Sequence, residues 1–242
     1  SRARMVRLNP DTLSVDTTFA SPSISNGEVR VILPDDFNND GVMDYLVGGS
    51  FTNVVVSGVG NVYRGRAARI TTSGSLDLGF YVDANNTVND IVRFGQNYLL
   101  AGAFNLFSGA LPRQRMAMVR VDNGEVDQTF SLDTNNEVRD LCPLPDGSVL
   151  MAGIFSTVNG LPRPFVARMT ATGVLDSSFD AAVNGEVRCL SPYRHPVLTG
   201  NPQALLGGSF SQVAGAGAHA VARIQTPAQS SYALQLDASF DR

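Results

Sequence analysis

The chain repeats itself about every 50 to 60 residues, and this periodicity constrains the fold more than any other feature of the sequence. A unit of Val or Leu, then Asp, two further residues and Phe occurs five times. Its copies end at Phe19, Phe80, Phe130, Phe179 and Phe240. Such self-similarity is typical of proteins in which each repeat is one small structural unit that is stable only against its neighbours.

Three further motifs recur in the same order, so the repeats are not accidental. They are an Arg before an aliphatic residue or Met, an Asn-led turn before a Val, and a run of small residues before a Phe. We expect each repeated Arg to pair with a carboxylate, as Arg69 with Asp77, rather than to line a ligand groove. The Arg copies are Arg7, Arg69, Arg120, Arg168 and Arg223; the turns begin at Asn26, Asn86, Asn136 and Asn184; the small-residue runs end at Phe51, Phe104, Phe155 and Phe210.

Each repeat has the pattern of short β-strands separated by turns. In the first complete repeat, strand-like runs cover residues 28–33, 45–51, 66–71 and 76–80. Asn-Gly, Pro-Asp-Gly and Ser-Gly turn signals bound such runs, and no window of 10 to 15 residues has helical periodicity. The sequence predicts a four-stranded antiparallel unit of about 50 residues, the size of a propeller blade.

One such sheet cannot bury both of its faces, whereas sheets stacked face to face can. We therefore expect an all-β fold, a β-propeller-like array of about four and a half four-stranded antiparallel repeats that forms a single domain over residues 1–242. The half repeat covers 1–19 and the complete repeats cover 20–80, 81–130, 131–179 and 180–240. Because 1–19 supplies only the second half of a repeat, we expect a longer parent chain or a neighbouring subunit to complete it.

Composition narrows the classes of function. The 18 basic residues are all Arg, they are spread singly, and the net charge is −4. A nucleic-acid binder usually has a cluster of basic residues, so this composition argues against that class of function. No apolar stretch approaches the ~20 residues that span a bilayer. The absence of Lys excludes Schiff-base catalysis. His195, His219, Cys142 and Cys189 lie at no metal-ligand or nucleophile spacing, and we interpret the cysteines as small apolar core residues. We expect no enzyme activity.

One loop has the pattern of a metal-binding site. An insertion in the first complete repeat reads D-x-N-x-D-G-x-x-D from Asp36 to Asp44. Ca²⁺ binds six to eight oxygens, and side chains at alternate positions of such a loop turn toward a common centre while Gly41 allows the bend. The alternative is an Asp/Asn-rich turn without a metal. We predict one structural Ca²⁺ site with the ligands Asp36, Asn38, Asp40, the Val42 carbonyl and Asp44.

The ordered segments NGEV, PDG, GGSF, LPR, VARM and GVLDSSF resemble the delta-60 repeat family of bacterial β-propellers, and residues 136–179 are the clearest copy. This resemblance implies a propeller fold and a place in large surface or secreted proteins, and it implies no defined reaction. The acidic loop departs from the EF-hand, which needs a Glu at position twelve and flanking helices. It resembles the calcium loops of integrin-type (FG-GAP-like) propeller repeats, which lie in the same hairpin.

The sequence therefore favours a non-catalytic structural and protein-interaction module. We expect it to be extracellular or on a cell surface or particle, with a protein partner or neighbouring subunit. Two alternatives stay open. Recognition of a carbohydrate or peptide would need an aromatic-lined central pocket. A propeller-scaffold hydrolase would need two converging carboxylates, one of them with a raised pKa.

Overall fold

The computed structural model describes residues 4–20, 22–24, 26–107, 111–193 and 203–225. The elements assigned in these ranges are all β-strands. Among the same residues there is no helix long and apolar enough to cross a membrane. The chain divides into two compact units, Ser1–Arg113 with Ala117–Gln128 and Gln114–Met116 with Thr129–Arg242, and each is described by itself.

In the first unit, the three long strands of each of the first two complete repeats form one antiparallel sheet. Each repeat also has a second sheet of shorter strands, built on a hairpin between the second and third long strands, which β1 joins in the first repeat. The long strands are β2 (Val29–Asp35), β3 (Asp44–Gly49) and β6 (Ala67–Ile70), then β7 (Val88–Phe94), β8 (Asn97–Gly102) and β11 (Met116–Arg120). The smaller sheets comprise β1 (Ser23–Ile24), β4 (Asn53–Val56) and β5 (Gly60–Tyr63), then β9 (Leu106–Phe107) and β10 (Leu111–Pro112).

The second unit repeats this arrangement in the third and fourth complete repeats. The long strands are β12 (Val138–Pro143), β13 (Val149–Gly153) and β16 (Val166–Met169), then β17 (Glu186–Tyr193), β18 (Gln203–Ser209) and β21 (Val221–Gln225). The hairpins are β14 (Thr157–Val158) with β15 (Leu161–Pro162), and β19 (Gln212–Val213) with β20 (Ala216–Gly217).

The prediction of an all-β fold built from repeated antiparallel units is confirmed, and the fourth strand of each unit is very short. In the first repeat it is reduced to one bridge, between Ile70 and Leu76. The strand ends there because the Asp77 carboxylate, directly after Leu76, accepts the Gly79 N–H at 2.7 Å and so turns the chain. The small hairpins were not predicted, because most of their strands are only two residues long.

A bulge interrupts the pairing of the first two long strands in every complete repeat, and a glycine faces it. A Cβ on Gly49 would lie 1.8 Å from the Glu28 carbonyl oxygen. This glycine is therefore required by its own sheet. The bulges lie between Val29 and Val31, Val88 and Asp90, Val138 and Asp140, and Val187 and Cys189, and the equivalent glycines are Gly102, Gly153 and Gly208.

The small residue directly before each of these glycines, such as Gly48 before Gly49, has a different role. A Cβ on Gly48 would lie 2.9 Å from side-chain atoms of Val88 and Ile91 in the next repeat. A glycine at this position therefore lets the sheets of the first two repeats approach, as the sequence indicated. The repeated phenylalanines are core residues: Phe80 lies in a cluster shared by the first two complete repeats, and Phe179 lies in one shared by the last two. The buried copies are Phe19, Phe51, Phe80, Phe104, Phe130, Phe155, Phe179 and Phe210. The fifth copy of the first motif, at Phe240, lies outside the described residues.

Candidate functional site

The acidic loop lies in the first unit, between β2 and β3, and its own side chains close it. The Asp36 carboxylate accepts the backbone N–H groups of Asp40, at 3.0 Å, and Gly41, at 2.9 Å. The Asp40 carboxylate accepts the Val42 N–H at 2.8 Å. Gly41 has a φ of 82°, which suits glycine. The loop is therefore a compact turn that side-chain oxygens organise.

The structure brings three of the predicted ligands together and engages a fourth elsewhere. The Asn38 amide donates to the Asp40 carboxylate at 2.8 Å, while Asp36 bonds the Asp40 backbone. Asp44 begins β3, and its Oδ1 accepts the Thr72 N–H at 2.9 Å. Among the described residues no group of three or more His, Cys, Asp and Glu side chains is arranged to hold a metal ion. The calcium site stays a prediction.

The loop is attached to the second repeat through Phe37. The guanidinium of Arg69 lies between two rings, 3.5 Å from the Phe37 centroid and 4.7 Å from the Phe80 centroid. The same guanidinium donates to the carbonyls of Val121, at 2.5 Å, and Asp122, at 2.9 Å. One buried cation therefore joins the acidic loop to a turn of the next repeat.

A second attachment precedes the loop at Asp35. Its carboxylate accepts the Tyr98 hydroxyl at 2.6 Å and pairs with the Arg93 guanidinium at 2.5 Å. Burial, together with the bond to Asp35, raises the pKa of the Tyr98 hydroxyl. The sequence did not single out this group, because Asp35 lies about 60 residues before Arg93 and Tyr98 and shares no motif with them.

The predicted structural role of the repeated arginines is confirmed in three repeats. Arg7, Arg69 and Arg168 pair with carboxylates at 2.7, 2.6 and 2.5 Å, and each also lies over the buried Phe of its repeat. Hydrogen bonds from Thr18 and Arg7 lower the pKa of Asp16 to about 2. Burial alone would raise the pKa of Asp176, but hydrogen bonds from Ser178 and Arg168 outweigh it and lower that pKa.

The second complete repeat departs from this pattern, and its structure shows that Arg120 was wrongly taken as a copy of the repeated Arg. The Asp127 N–H donates to the Met118 carbonyl, as the Asp77 N–H donates to the Arg69 carbonyl. Met118 therefore occupies the position of the repeated Arg. Arg120 lies two residues further on and pairs at the surface with Asp122, at 2.9 Å. The turn that follows is one residue longer than in the first repeat, because the Arg120 N–H donates to the Glu125 carbonyl where the Thr71 N–H donates to the Ser75 carbonyl.

The Asn-led turns need a similar correction in two repeats. The side chain of Asn26 accepts the N–H groups of Thr52 and Asn53, at 3.0 and 3.2 Å. The residues that make the equivalent bonds are Asn85 and Asn135 rather than Asn86 and Asn136. Asn184 occupies the same position in the fourth repeat, as predicted. The Asn-Asn pair in the two middle repeats hid this one-residue offset.

The cysteines fit the sequence interpretation only in part. Both are free, and Cys142 is buried as expected, but Cys189 is exposed. Cys189 lies at the bulge of β17. Of the two histidines, His219 is exposed and His195 lies outside the described residues.

Two segments of the chain, residues 39–80 and 144–179, match the model of a family described as Domain of unknown function (DUF5122) beta-propeller. Both segments end at the buried Phe of the first motif, so the match falls on corresponding parts of the first and third repeats. A comparison with curated proteins found no match.

Solved structures similar to this chain include two crystal structures of BBS1N in complex with ARL6DN, one soaked with mercury and one with lead. Sequence identity is 12% in both cases, the matches cover 98% and 95% of this chain, and the TM-scores are 0.44 and 0.47. This chain spans 66% of the length of either matched chain. The strand arrangement and the family match together show an all-β protein assembled from β-propeller repeats.

Proposed function

We propose that the protein is a non-catalytic structural and protein-interaction module. The observation that carries this proposal is the half repeat at residues 4–19. It has the local structure of the second half of a complete repeat, because Arg7 pairs with Asp16 and lies over Phe19. Arg4 has a φ of 71°, as Arg66 has 72° at the equivalent position. The half repeat is therefore folded as the second half of a repeat.

The half repeat exposes apolar side chains that a complete repeat covers. Val6 and Leu8 are 47% and 48% exposed, whereas their equivalents Ala68 and Ile70 are 0% exposed. In the complete repeat these positions lie in a core cluster that includes Val47 of the paired strand β3 and Met5 and Phe19 of the half repeat. Burying one such side chain contributes about 1.5–3 kcal/mol. Strands that cover this face, from a preceding part of a longer parent chain or from a neighbouring subunit, would gain part of this free energy, which supports the half repeat as a contact surface.

A hairpin peptide that copies residues 136–155, the first two long strands of the third repeat, tests this proposal. We expect it to bind the wild-type chain and to bind a Leu8→Asp variant at least tenfold more weakly, because a charge would enter the apolar contact. Leu78→Asp is the matched control, since Leu78 is also exposed but belongs to no strand. Equal affinity of the peptide for both variants, measured by fluorescence anisotropy, would argue against the half repeat as an interaction site.

The proposal includes a structural Ca²⁺ in the acidic loop. The donor set is carboxylate, amide and carbonyl oxygen, which suits a hard cation, and the loop already gathers Asp36, Asn38 and Asp40 into one turn. When bound, the ion would neutralise the mutual repulsion of the carboxylates. The five loop ligands would be Asp36, Asn38, Asp40, the Val42 carbonyl and Asp44.

Calorimetry with CaCl₂ tests the metal site separately from the partner site. We expect binding by the wild-type chain and none by Asp40→Ala. Asp11→Ala is the control, because Asp11 is an exposed carboxylate in a turn of the half repeat. Absence of heat with the wild-type chain at millimolar Ca²⁺ would refute the metal site and leave the interaction proposal standing.

Location and lack of catalysis complete the proposal. The resemblance to bacterial surface repeats supports an extracellular or cell-surface location, and antibody labelling of intact against permeabilised cells tests it. Hydrogen bonds lower the pKa values of Asp16, Asp122 and Asp176, so these three carboxyls are poor candidates for the acid of a hydrolase, which needs an upward shift. Turnover of a chromogenic glycoside that stops when a single carboxylate is replaced would contradict this role.

A further inference from the structure

The small sheet of the first repeat differs from its three counterparts. In this repeat β4 and β5 are four residues long, and β1 joins them to give a sheet of order β1-β4-β5. In the described residues of the other repeats, the equivalent hairpins have two-residue strands, and a third segment pairs with them through no more than a single bridge, as Ala84 does with Phe107. β5 is therefore an edge strand, and no strand in the described parts of the chain pairs with its outer side.

The hydrogen bonds beyond β5 show which of its backbone groups face outward. The Arg64 N–H donates to the Thr52 carbonyl at 2.7 Å, on the β4 side. Gly65 bonds on the opposite side, where its N–H donates to the Val82 carbonyl at 3.2 Å and its carbonyl accepts the Ala84 N–H at 3.0 Å. Backbone groups of successive strand residues face opposite edges. The residues two and four positions before Gly65 therefore face the free edge.

These residues are Tyr63 and Asn61. The Tyr63 carbonyl accepts the Arg64 Nη1 at 2.8 Å, so it is already occupied. The groups left for another strand are the N–H and carbonyl of Asn61 and the N–H of Tyr63. Asn61 thus offers a donor and an acceptor side by side, which is the arrangement that two antiparallel strands exchange.

Charged residues and proline on an edge strand prevent pairing with the edge of another sheet. β5 has the sequence Gly-Asn-Val-Tyr and contains neither. Two apolar side chains flank its centre and are exposed, Val59 at 69% and Tyr63 at 47%. The Tyr63 hydroxyl donates to the Asp83 carboxylate at 2.7 Å, which holds the ring in place. A fixed aromatic ring loses little entropy when it is covered.

We propose that β5 pairs with β5 of a second copy of this chain, antiparallel and about a two-fold axis that passes beside Asn61. A two-fold interface requires a self-complementary surface. This register satisfies the requirement, because Asn61 exchanges both backbone bonds with Asn61 of the partner subunit. Val59 then lies opposite Tyr63 of the partner subunit. The two-fold axis repeats this contact, so the exposed Val59 and Tyr63 of both chains are covered. The two small sheets become one sheet of six strands.

The contact is short, so it gives a reversible dimer rather than an obligate one. Sedimentation velocity of the wild-type chain, from micromolar to near-millimolar protein, should show a shift from one chain to two. Asn61→Pro removes an N–H that faces only the free edge and should abolish the shift. Asn61→Lys keeps the backbone but places two like charges on the axis, and it should also abolish the shift. Asn61→Ser should dimerise as the wild-type chain does.

Two results would overturn the proposal. One is a wild-type chain that stays monomeric over the whole range. The other is dimerisation of a folded Asn61→Pro or Asn61→Lys variant, with circular dichroism as the check on folding. The Leu8→Asp variant separates this dimer from contacts of the half repeat: loss of the dimer in Leu8→Asp with retention in Asn61→Lys would assign it to the half repeat and refute the β5 contact.

Discussion

Replacing Gly153 by Ala tests whether the glycine beside each bulge is required by its own sheet. The new Cβ would lie 2.2 Å from the Glu137 carbonyl oxygen, which is more than 1 Å inside normal van der Waals contact. This atom is backbone, so it cannot swing away as a flexible side chain could. The strands β12 and β13 would have to separate by about 1 Å.

That separation stretches the hydrogen bond at the bulge in which the Ile154 N–H donates to the Glu137 carbonyl at 3.1 Å. The Gly153 N–H bonds on the other side of β13, where it donates to the Phe165 carbonyl at 3.0 Å. Overpacking costs about 1–3 kcal/mol, and the weakened bond adds up to about 1 kcal/mol. We therefore expect Gly153→Ala to lower the free energy of unfolding by about 1–4 kcal/mol.

Gly217→Ala is the matched control in the same unit. A Cβ at Gly217 would meet no atom within 4 Å, and its φ lies outside the left-handed region. We expect this variant to change the free energy of unfolding by less than about 1 kcal/mol, with either sign. Urea unfolding followed by circular dichroism measures both variants. A transition of Gly153→Ala at the same urea concentration as that of Gly217→Ala would refute the close-approach argument.

Three further perturbations follow from individual contacts. Asn135→Ala removes three hydrogen bonds and should cost about 1–3 kcal/mol in urea unfolding, whereas Asn136→Ala should cost clearly less. The lowered pKa of Asp16, about 2, means that its contribution is present above pH 4 and is lost as the pH falls toward 2, so Asp16→Asn should flatten that part of the acid-unfolding curve. The hydrogen bond to Asp83 raises the pKa of Tyr63 to about 12, so ultraviolet titration of Asp83→Asn should show one tyrosine ionising nearer pH 10.

Much of the architecture was predictable, because it depends on local patterns. Turn signals and alternating apolar runs predicted the long strands within a few residues of where they lie, as for residues 28–33 against β2 at Val29–Asp35. The ion pair of Arg69 and Asp77 was predictable, because the two residues lie close in sequence on either side of one turn of the repeat. The repeated Phe was predicted to be core, and it is buried wherever the structure describes it.

Alignment within a repeat was less predictable, because adjacent residues of the same type can replace one another in a motif. Asn135 and Asn136 are equally good matches in sequence, and only the bonds from Ser156 and Thr157 identify Asn135 as the equivalent residue. Arg120 matches the repeated Arg in type, but the bond from Asp127 assigns that position to Met118. The turn after Arg120 is longer by one residue than that of the first repeat, and the residue types in the turn do not reveal this.

The acidic loop shows the same limit at the candidate site. Its pattern from Asp36 to Asp44 predicts a set of oxygen ligands, and the hydrogen bonds confirm that Asp36, Asn38 and Asp40 share one turn. The bond from Thr72 to Asp44 was not predictable, because Thr72 follows the third strand and reaches Asp44 only after the sheet has formed.

The sequence alone determined the repeat, the strand content and the repeated core residues, because these follow from periodicity and turn chemistry over a few neighbouring positions. Tertiary structure alone decided which glycine faces a bulge, which arginine joins one repeat to the next, and where a sheet edge is left open at β5. Those features depend on the approach of segments far apart in the chain. The physical reason is that a close contact or an unpaired edge is a property of two segments in space, and no local pattern encodes it.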